Sequence, residues 1–404
     1  MSPLPPERRA PLSADRSTGI RRLAALAGLV LLTAACGSTT PRPSASATPQ
    51  ATPTAQPVTG TPSPTANACV APSNEPAPSG TIPANYATAL AFAPDGRLFW
   101  AERSGTVRVW QGGGSRVFAR VTTVTTEPNG SYSERGLLGL AISPTFTTDR
   151  FVYAFYSDAS YRTQHVVRWY DCDGSGLHPT IVTTLPAGND CCHKGGRIAF
   201  GPDGKLYVTL GDEHDAPSAQ SVGDVRGKVL RYNPNGTIPS DNPFGPTNPV
   251  WAYGLRNPFG IAFSPTGQLA ITMNGPSGDA GSPGTGYDTL YLSVTRGAHY
   301  QWPDCYGYSH PLATSTCGGG VAPNWSSEAS TYVPTGATFV DASGPAGYAG
   351  HLVFCTYDRG MAIASAGSPH ATVRLGPSGC RFDVAEGPNH ALYYSDTTHI
   401  YELP

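Results

Sequence analysis

Positions 90–99 of the chain read Leu-Ala-Phe-Ala-Pro-Asp-Gly-Arg-Leu-Phe, two short apolar runs joined by Pro-Asp-Gly. Proline presets φ for the second position of a turn, and glycine supplies the positive φ that such turns often need. The stretch therefore predicts a strand, a tight turn and a second strand. The same pattern returns at positions 198–207 and 261–270, with weaker copies around Pro144, Pro334 and Pro388.

The copies are regularly spaced along the chain. Their prolines stand at positions 94, 144, 202, 265, 334 and 388, so neighbouring copies lie 50 to 69 residues apart. This spacing suits one four-stranded antiparallel blade per copy, and six such blades close into a ring. We therefore predict an all-β protein with a six-bladed β-propeller over residues 81–404. An open sandwich built from similar hairpins is the alternative.

The first 36 residues have the pattern of an export signal. Five arginines, the last of them Arg22, precede an uncharged apolar stretch from Leu23 to Ala35 that is short for a membrane span. Small residues directly before Cys36 are similar to a bacterial lipobox, which predicts lipid attachment at Cys36. Secretory cleavage without a lipid is the alternative. Either way we expect an exported protein, whose only membrane contact would be this anchor.

Residues 37–80 are rich in Ser, Thr, Pro and Ala, and Arg42 is the only charged residue between Cys36 and Glu75. Such a segment has too little apolar surface to offset the entropy lost on ordering. We expect a disordered linker between the signal and the propeller.

Nine cysteines fit an exported protein, because disulfides form in oxidising compartments. If Cys36 carries lipid, eight remain. Cys305 and Cys317 flank a loop and are one candidate pair, and Cys355 and Cys380 are a second. The others, Cys69, Cys172, Cys191 and Cys192, would share the remaining bonds, with a vicinal Cys191–Cys192 bridge among the options.

The overall charge argues against a nucleic-acid partner. The formal net charge is −2 and only 13% of the residues are charged. A protein that binds nucleic acid needs a basic face to displace counterions from the phosphates. We therefore look for a small-molecule site.

Polar residues recur in blocks that keep their order along the predicted propeller. The blocks are Glu134-Arg135-Gly136-Leu137-Leu138-Gly139-Leu140; His193-Lys194-Gly195-Gly196-Arg197, followed by Gly211-Asp212; Gly227-Lys228-Val229-Leu230-Arg231; Gly254-Leu255-Arg256-Asn257-Pro258; and Asn274-Gly275-Pro276, followed by Asp288 and Tyr300-Gln301-Trp302-Pro303. Together they resemble the glucose/sorbosone dehydrogenase family of quinoprotein sugar dehydrogenases.

The resemblance implies an enzyme that oxidises the anomeric hydroxyl of soluble aldoses with pyrroloquinoline quinone (PQQ) and Ca²⁺. It implies that His193 is the general base and that Arg256 acts beside it, since a neutral imidazole suits proton removal near neutral pH. The implied Ca²⁺ ligands are Gly275, Pro276 and Asp288. The implied quinone contacts are Glu134, Asp212, Gln220, Arg256, Asn257 and Arg381. The sugar and the electron acceptor stay open.

Some positions depart from the family pattern. Glu134 stands where the family often has glutamine, and a Gly/Ser-rich loop replaces the short acidic run after Pro276. Near the C-terminus Arg381 stands alone where paired arginines are usual. Because a tricarboxylate needs cations, these departures favour an alternative, a non-catalytic propeller that binds sugar or protein. A third interpretation is a Ca²⁺-dependent propeller hydrolase. Such an enzyme would need several inward carboxylates around its central metal, and the sequence shows no clear ring of them.

Overall fold

The computed structural model describes residue 69 and residues 74–312 and 315–403. Within these ranges, six four-stranded antiparallel sheets form the blades of a β-propeller. The all-β, six-bladed fold predicted from the hairpin repeat is confirmed. The expected signal peptide, Cys36 and most of the expected linker lie outside the described residues.

We number the blades 1 to 6 along the chain and give their strands from the channel outward. Blade 1 contains Ala87–Phe92, Leu98–Glu102, Thr106–Gln111 and Gly114–Arg120, and blade 2 contains Leu137–Ile142, Phe151–Ser157, Thr163–Cys172 and Ser175–Pro186. Blade 3 contains Ile198–Phe200, Leu206–Leu210, Lys228–Tyr232 and Val250–Tyr253, and blade 4 contains Asn257–Phe263, Leu269–Asn274, Thr289–Tyr291 and Trp325–Ser326. Blade 5 contains Pro334–Phe339, Leu352–Thr356, Gly360–Ser365 and Thr372–Leu375, and blade 6 contains Val384–Glu386, Leu392–Ser395, His399–Leu403 and Thr81–Pro83.

The connections contain few other elements. They are one α-helical turn, Phe146–Asp149, the 3₁₀ helices Ala216–Gln220 and Asp279–Gly281, and a small hairpin of Cys305–Tyr306 with His310–Pro311. Across the described ranges, no helix is both long and apolar enough to cross a bilayer.

The ring is closed by pairing between its two ends. Thr81–Pro83 runs antiparallel to His399–Leu403 and places Ile82 opposite Ile400. Blade 6 is therefore assembled from both ends of the propeller, which closes the circle by hydrogen bonds.

The predicted turns join the first two strands of a blade. In blade 1 the Ala93 N–H donates to the Arg97 carbonyl at 2.9 Å, and Gly96 has φ +90°. In blade 3 the Gly201 N–H donates to the Lys205 carbonyl at 2.9 Å. The positive φ explains why glycine follows Pro-Asp in these turns.

Blade 5 departs from the predicted repeat. Pro334 is the first residue of its innermost strand and takes no part in a turn. The turn spans residues 340–351, where the Gly344 N–H donates to the Asp341 carbonyl at 3.0 Å. The assignment of Pro334 to a turn is wrong because Pro334-Thr335-Gly336 imitates the repeat, whereas the true turn is longer and lacks it.

Apolar contacts lie between the blades, with one cluster at each of the six interfaces. Between blades 1 and 2, Phe118 packs edge-on against Phe99 and Trp169, with ring centroids 5.2 and 6.3 Å apart. Because hydrophobic burial is distributed around the ring, the centre of the propeller is left for polar groups.

All eight cysteines in the described ranges are paired, as expected. The bonds are Cys69–Cys172, Cys191–Cys192, Cys305–Cys317 and Cys355–Cys380. The first bond attaches a residue upstream of the propeller to blade 2, and the Glu75 N–H donates to the Asp95 carbonyl at 2.8 Å. The chain is thus held to the propeller from Cys69, earlier than the expected boundary at residue 81.

Replacing Cys69 and Cys172 together by serine should lower the free energy of unfolding by about 2–4 kcal/mol, because their bond joins residues 103 positions apart. The matched control is Cys305→Ser with Cys317→Ser, whose bond spans 12 positions. Loop entropy predicts a cost smaller by about 2 kcal/mol for the control. Denaturant unfolding of both variants measures the difference, and an equal loss would contradict the loop-entropy explanation.

Candidate functional site

Most of the residues expected at the site converge at one mouth of the channel. This mouth is formed by segments that lead into the innermost strand of a blade or leave its second strand. A space of about 590 Å³ opens there, which we call the mouth cavity. Of the expected residues, Glu134, His193, Arg256, Asn257, Gly275, Pro276 and Asp288 border it. A space of about 340 Å³, the channel cavity, adjoins it and shares Glu134.

His193 is held from behind by a buried carboxylate. Its Nδ1 lies 2.5 Å from Oδ1 of Asp212, and Nε1 of Trp302 donates to Oδ2 of the same carboxylate at 2.7 Å. All three side chains are buried. A carboxylate that accepts these bonds makes Nδ1 the protonated nitrogen of His193, so Nε2 keeps its lone pair. A general base requires such a nitrogen.

Two segments of blade 3 that meet at the site have strained backbones, the segment before its innermost strand and the loop after its second strand. His193, Glu213 and His214 have φ of +57°, +54° and +62°, a region that residues with a Cβ rarely adopt and that is common at functional sites. Gly211 opens the loop because a Cβ there would overlap the His193 carbonyl. The fold of this loop brings Nε2 of His214 to 3.0 Å from Nε2 of His193.

Arg256 reaches the mouth cavity with its charge already paired. Its Nε and one terminal nitrogen donate to the two oxygens of Asp279 at 2.8 and 2.7 Å, and its guanidinium lies 5.6 Å from the ring centre of Trp302. Although burial disfavours the charged form, the bonds from Arg256 hold the pKa of Asp279 well below its usual range. A ligand carboxylate would therefore compete with Asp279 for Arg256.

Asn257 connects two loops at the side of the cavity. Its Oδ1 accepts the Gly195 N–H at 3.1 Å, and its Nδ2 donates to Oε2 of Glu134 at 3.2 Å. The same oxygen of Glu134 accepts the Lys194 N–H at 3.2 Å. These bonds fix the turn that follows His193 and aim the Glu134 carboxylate at both cavities.

Three neighbouring oxygens lack hydrogen-bond partners in the described structure. They are the carbonyls of Gly275 and Pro276 and the buried Oδ1 of Asn274. Oxygens of this kind suit Ca²⁺. Asp288 orients their turn, since its Oδ1 accepts the Gly275 N–H at 2.8 Å and its Oδ2 accepts two more backbone N–H groups. Burial raises the pKa of Asp288 despite these bonds.

Besides Asp212, which lies behind His193, two of the expected residues stand back from the mouth cavity. Gln220 donates from Nε2 to the Trp302 carbonyl at 2.5 Å and so supports the segment that holds Asp212. Arg381 donates to the Tyr357 carbonyl at 2.7 Å and lies over the Tyr357 ring, which borders the channel cavity. Arg381 therefore supports the wall of that cavity, through Tyr357 and through Thr335, whose Oγ1 donates to the Arg381 carbonyl at 3.0 Å.

A further cluster has the composition of a cation site but is already satisfied. His193, Asp212 and Asp279 offer ligand atoms within 4.8 Å of one another. The oxygens of the two carboxylates already accept bonds from His193, Trp302 and Arg256. The cluster is explained as a network that orients His193.

Arg197 divides the channel below the mouth. Its buried guanidinium donates to the carbonyls of Thr88, Phe259 and Phe382, which lie in or next to the innermost strands of blades 1, 4 and 6. One of its nitrogens is 3.5 Å from Asp383. Burial lowers the pKa of Arg197 and raises the pKa of Asp383 to about 6.

Sequence reasoning missed several residues that the structure brings to the site. His214 lies two positions after Asp212, and its closeness to the Gly211-Asp212 block was the signal in the sequence that could have identified it. Asp279 lies in the Gly/Ser-rich loop, where no family block guides an assignment. Trp302 was quoted only as part of a motif, and the structure shows that it is buried with its Nε1 bound to Asp212. Asn274 was quoted only as part of a motif, and its unpaired oxygen is visible only in the structure.

Comparison with known proteins gives the family. The family model described as glucose/sorbosone dehydrogenase matches residues 84–393. The chain belongs to this family. Two of its relatives, described next, are sugar dehydrogenases.

Individual relatives are more distant. The chain is similar to quinoprotein glucose dehydrogenase B of Acinetobacter calcoaceticus, with 29% identity over 55% of this chain and 51% of the relative. It is similar to an aldose sugar dehydrogenase of Escherichia coli, with 31% identity over 53% of this chain and 58% of the relative. The chain thus spans about half the length of these curated relatives.

A solved structure extends the likeness to the whole propeller. The PQQ-bound form of an aldose sugar dehydrogenase from Streptomyces coelicolor matches with a TM-score of 0.64 and 25% identity. The match covers 81% of this chain and 96% of that one. The blades of the two proteins therefore correspond over nearly all of that structure.

Asp383→Asn should change the dependence of stability on pH. In the folded protein the pKa of Asp383 is about 6, whereas an unfolded aspartate titrates near about 4. Between these values the folded protein keeps a proton that the unfolded chain has lost. The free energy of unfolding of the wild type should therefore fall as pH rises from about 4 to about 6, by up to about 3 kcal/mol.

Denaturant unfolding across this pH window tests the assignment. Asp383→Asn should show a smaller fall, keeping the part that comes from Glu213, whose pKa burial raises to about 7, whereas Asp358→Asn, at an exposed position, should keep the whole fall. An Asp383→Asn protein with the wild-type slope would show that another group causes the dependence.

Proposed function

We propose that this protein oxidises the anomeric hydroxyl of soluble aldose sugars, using PQQ and Ca²⁺. The observation that carries the proposal is the position of His193, with Asp212 behind it, in the same cavity as the partner-free oxygens of the Asn274–Pro276 turn. Family membership supports the reaction type. In this proposal the base and the cation site lie at one mouth of the propeller, and the sugar is oxidised there.

The residues present fit the two cofactors. The mouth cavity has the size of a typical small-molecule site. The turn oxygens suit Ca²⁺, and Arg256 and Arg103 are cations next to the two cavities. Arg103 donates to backbone carbonyls and has no carboxylate partner in the described ranges. Both arginines would hold carboxylates of the quinone, provided that Asp279 yields Arg256.

When bound, the quinone supplies a two-electron acceptor that a neighbouring Ca²⁺ would polarise. His193 takes the hydroxyl proton on Nε2. Asp212 holds Nδ1–H and stabilises the positive charge that forms on the ring, while Trp302 fixes Asp212. Burial of this triad keeps water away from it and strengthens the pairing. Glu134 offers carboxylate oxygens to hydroxyl groups of the sugar at the junction of the two cavities.

The Arg256–Asp279 pair favours a second candidate function. Because Asp279 neutralises Arg256, the mouth cavity attracts a tricarboxylate less strongly than an unpaired arginine would. A propeller that binds sugar or protein without quinone would have no need for a free Arg256. Absence of quinone binding together with sugar binding would support this second function.

We also propose that the protein is exported and carries lipid at Cys36. The four disulfides support an oxidising compartment. Mass spectrometry of the protein purified from membranes of a bacterial host tests the lipid, and an unacylated Cys36 or cleavage elsewhere would reject it.

Reconstitution tests the enzymatic proposal. Purified protein is mixed with Ca²⁺ and PQQ, separated from free cofactor and assayed for dye reduction with a panel of aldoses. We expect retained quinone absorption and sugar-dependent reduction, both lost after chelation of the metal. Retained quinone without oxidation of any aldose would reject the proposed substrate class.

His193→Ala should lower kcat by roughly 10²–10⁴-fold, the usual contribution of a general base. Quinone affinity should change little, because the base acts on the sugar. The matched control is His165→Ala, which removes a histidine paired with Asp158 at 3.3 Å in blade 2, away from the mouth cavity. Steady-state kinetics and quinone titration give both values. Similar losses in the two variants would contradict the role of His193.

Asp279→Asn should tighten quinone binding by about tenfold, because it releases Arg256 from a competing carboxylate. Arg256→Ala should weaken binding, since it removes the cation itself. Equilibrium titration followed by quinone absorbance compares the two variants. Weaker binding in Asp279→Asn would mean that this carboxylate helps to hold the cation.

A further inference from the structure

A second histidine connects the base to a separate space at the side of the propeller. His214 borders the mouth cavity and also a space of about 590 Å³, the side cavity, which is lined in part by Gly188, Asp190 and Glu213. The side chain of His193 is 4% exposed, whereas that of His214 is 28% exposed. His214 therefore stands between a buried base and solvent.

The hydrogen bonds assign the protons of both rings. Oδ1 of Asp212 accepts from Nδ1 of His193 at 2.5 Å and from the His214 N–H at 3.0 Å. Oδ2 of Asp190 accepts from Nδ1 of His214 at 2.7 Å, and this bond lowers the pKa of Asp190. With both Nδ1 atoms acting as donors, each neutral ring carries its lone pair on Nε2.

These two Nε2 atoms are 3.0 Å apart, a hydrogen-bond distance. Two lone pairs at that distance repel each other, whereas one proton between them makes the contact attractive. A proton on either Nε2 would turn this contact into a hydrogen bond, which is bent because the rings are nearly perpendicular, at 81°, with centroids 3.9 Å apart.

We propose that His214 is a relay residue that passes to water in the side cavity the proton that His193 removes from the sugar. This inference rests on the proposed oxidation. A sugar and a quinone in the mouth cavity would cover His193, and the base must lose its proton before the next turnover. The side cavity gives that proton an exit that the bound ligands do not cover.

The step balances in protons and electrons. The two electrons leave the sugar with the hydride, which goes to the quinone, and the hydroxyl proton goes to Nε2 of His193. That proton moves to Nε2 of His214, and water in the side cavity removes it, so both rings return to the neutral form. Asp212 and Asp190 keep their Nδ1–H bonds and stabilise whichever ring is charged.

Other ionisable groups near the pair are already engaged. Oε2 of Glu213 accepts from Lys194 and its Oε1 accepts from Gln164 at 2.6 Å. Asp279 is bound to Arg256. Both carboxylates are therefore bound to other side chains, and neither takes the place of His214 beside Nε2 of His193, although burial raises the pKa of Glu213 to about 7.

The shared proton can be tested in the free protein. In protein labelled with ¹⁵N-histidine, we expect a scalar coupling between the two Nε2 atoms through the hydrogen bond. The coupling should vanish in His214→Gln and survive in His165→Ala. Absence of the coupling at every pH at which the protein is folded would overturn the inference.

Turnover tests the relay itself. In His214→Ala, kcat should fall by about tenfold or more and recover as imidazole is added, because a diffusible base replaces the missing ring. The kcat of the wild type and of His165→Ala should not depend on imidazole. A fall without recovery would show that His214 only positions His193, and it would overturn the relay.

The two measurements also separate this inference from the proposed function. If the coupling is present but the reconstituted wild type oxidises no aldose, the proposed function fails and the relay fails with it, while the shared proton stands. If the wild type is active and His214→Ala keeps full kcat without imidazole, the relay alone fails.

Discussion

The structure depends on how one buried charge, that of Arg197, is satisfied at the centre of the ring. Its guanidinium donates to carbonyls at the innermost strands of blades 1, 4 and 6 from a position at the start of blade 3. Apolar clusters lie between neighbouring blades and hold only adjacent pairs together. Arg197 joins blades across the channel, and the cost of burying an unpaired charge holds the strand ends at a set distance.

That central contact also determines where the site can lie. Arg197 borders both the channel cavity above it and the space at the opposite end of the channel. The chemistry-bearing side chains are therefore on the mouth side, on loops supported by rigid strand ends. The backbone strain at His193, Glu213 and His214 is maintained by the hydrogen bonds of Asp212, which accepts from two histidine residues and from Trp302. Strain of this kind persists only where the surroundings determine it fully.

The charged groups Arg256 and Glu134 in the mouth cavity already have hydrogen-bond partners within the protein. Arg256 is neutralised by Asp279, and Glu134 is engaged by Asn257 and by a backbone N–H. The unmet capacity is in neutral oxygen acceptors, the carbonyls of Gly275 and Pro276 and the amide of Asn274. A cavity with a neutralised arginine, a carboxylate held only by neutral donors and unpaired oxygens attracts a cation first, and an anionic ligand gains most of its attraction once that cation is bound.

Local patterns in the sequence predicted the blade number, the hairpins and the disulfide candidates, whereas the mouth residues were expected only from the resemblance of the sequence blocks to the family. Pro-Asp-Gly turns and alternating apolar runs depend on a few neighbouring residues, so they can be recognised in the sequence without a structure. They failed at Pro334, where a strand start imitates the turn pattern. Only the tertiary structure decided which side chains meet. His214 reaches His193 because two left-handed residues redirect a loop, and Asp279 reaches Arg256 because residues 23 positions apart share one mouth of the ring. Such pairings depend on ring closure, which is set by contacts between distant parts of the chain and leaves no periodic signal in the sequence.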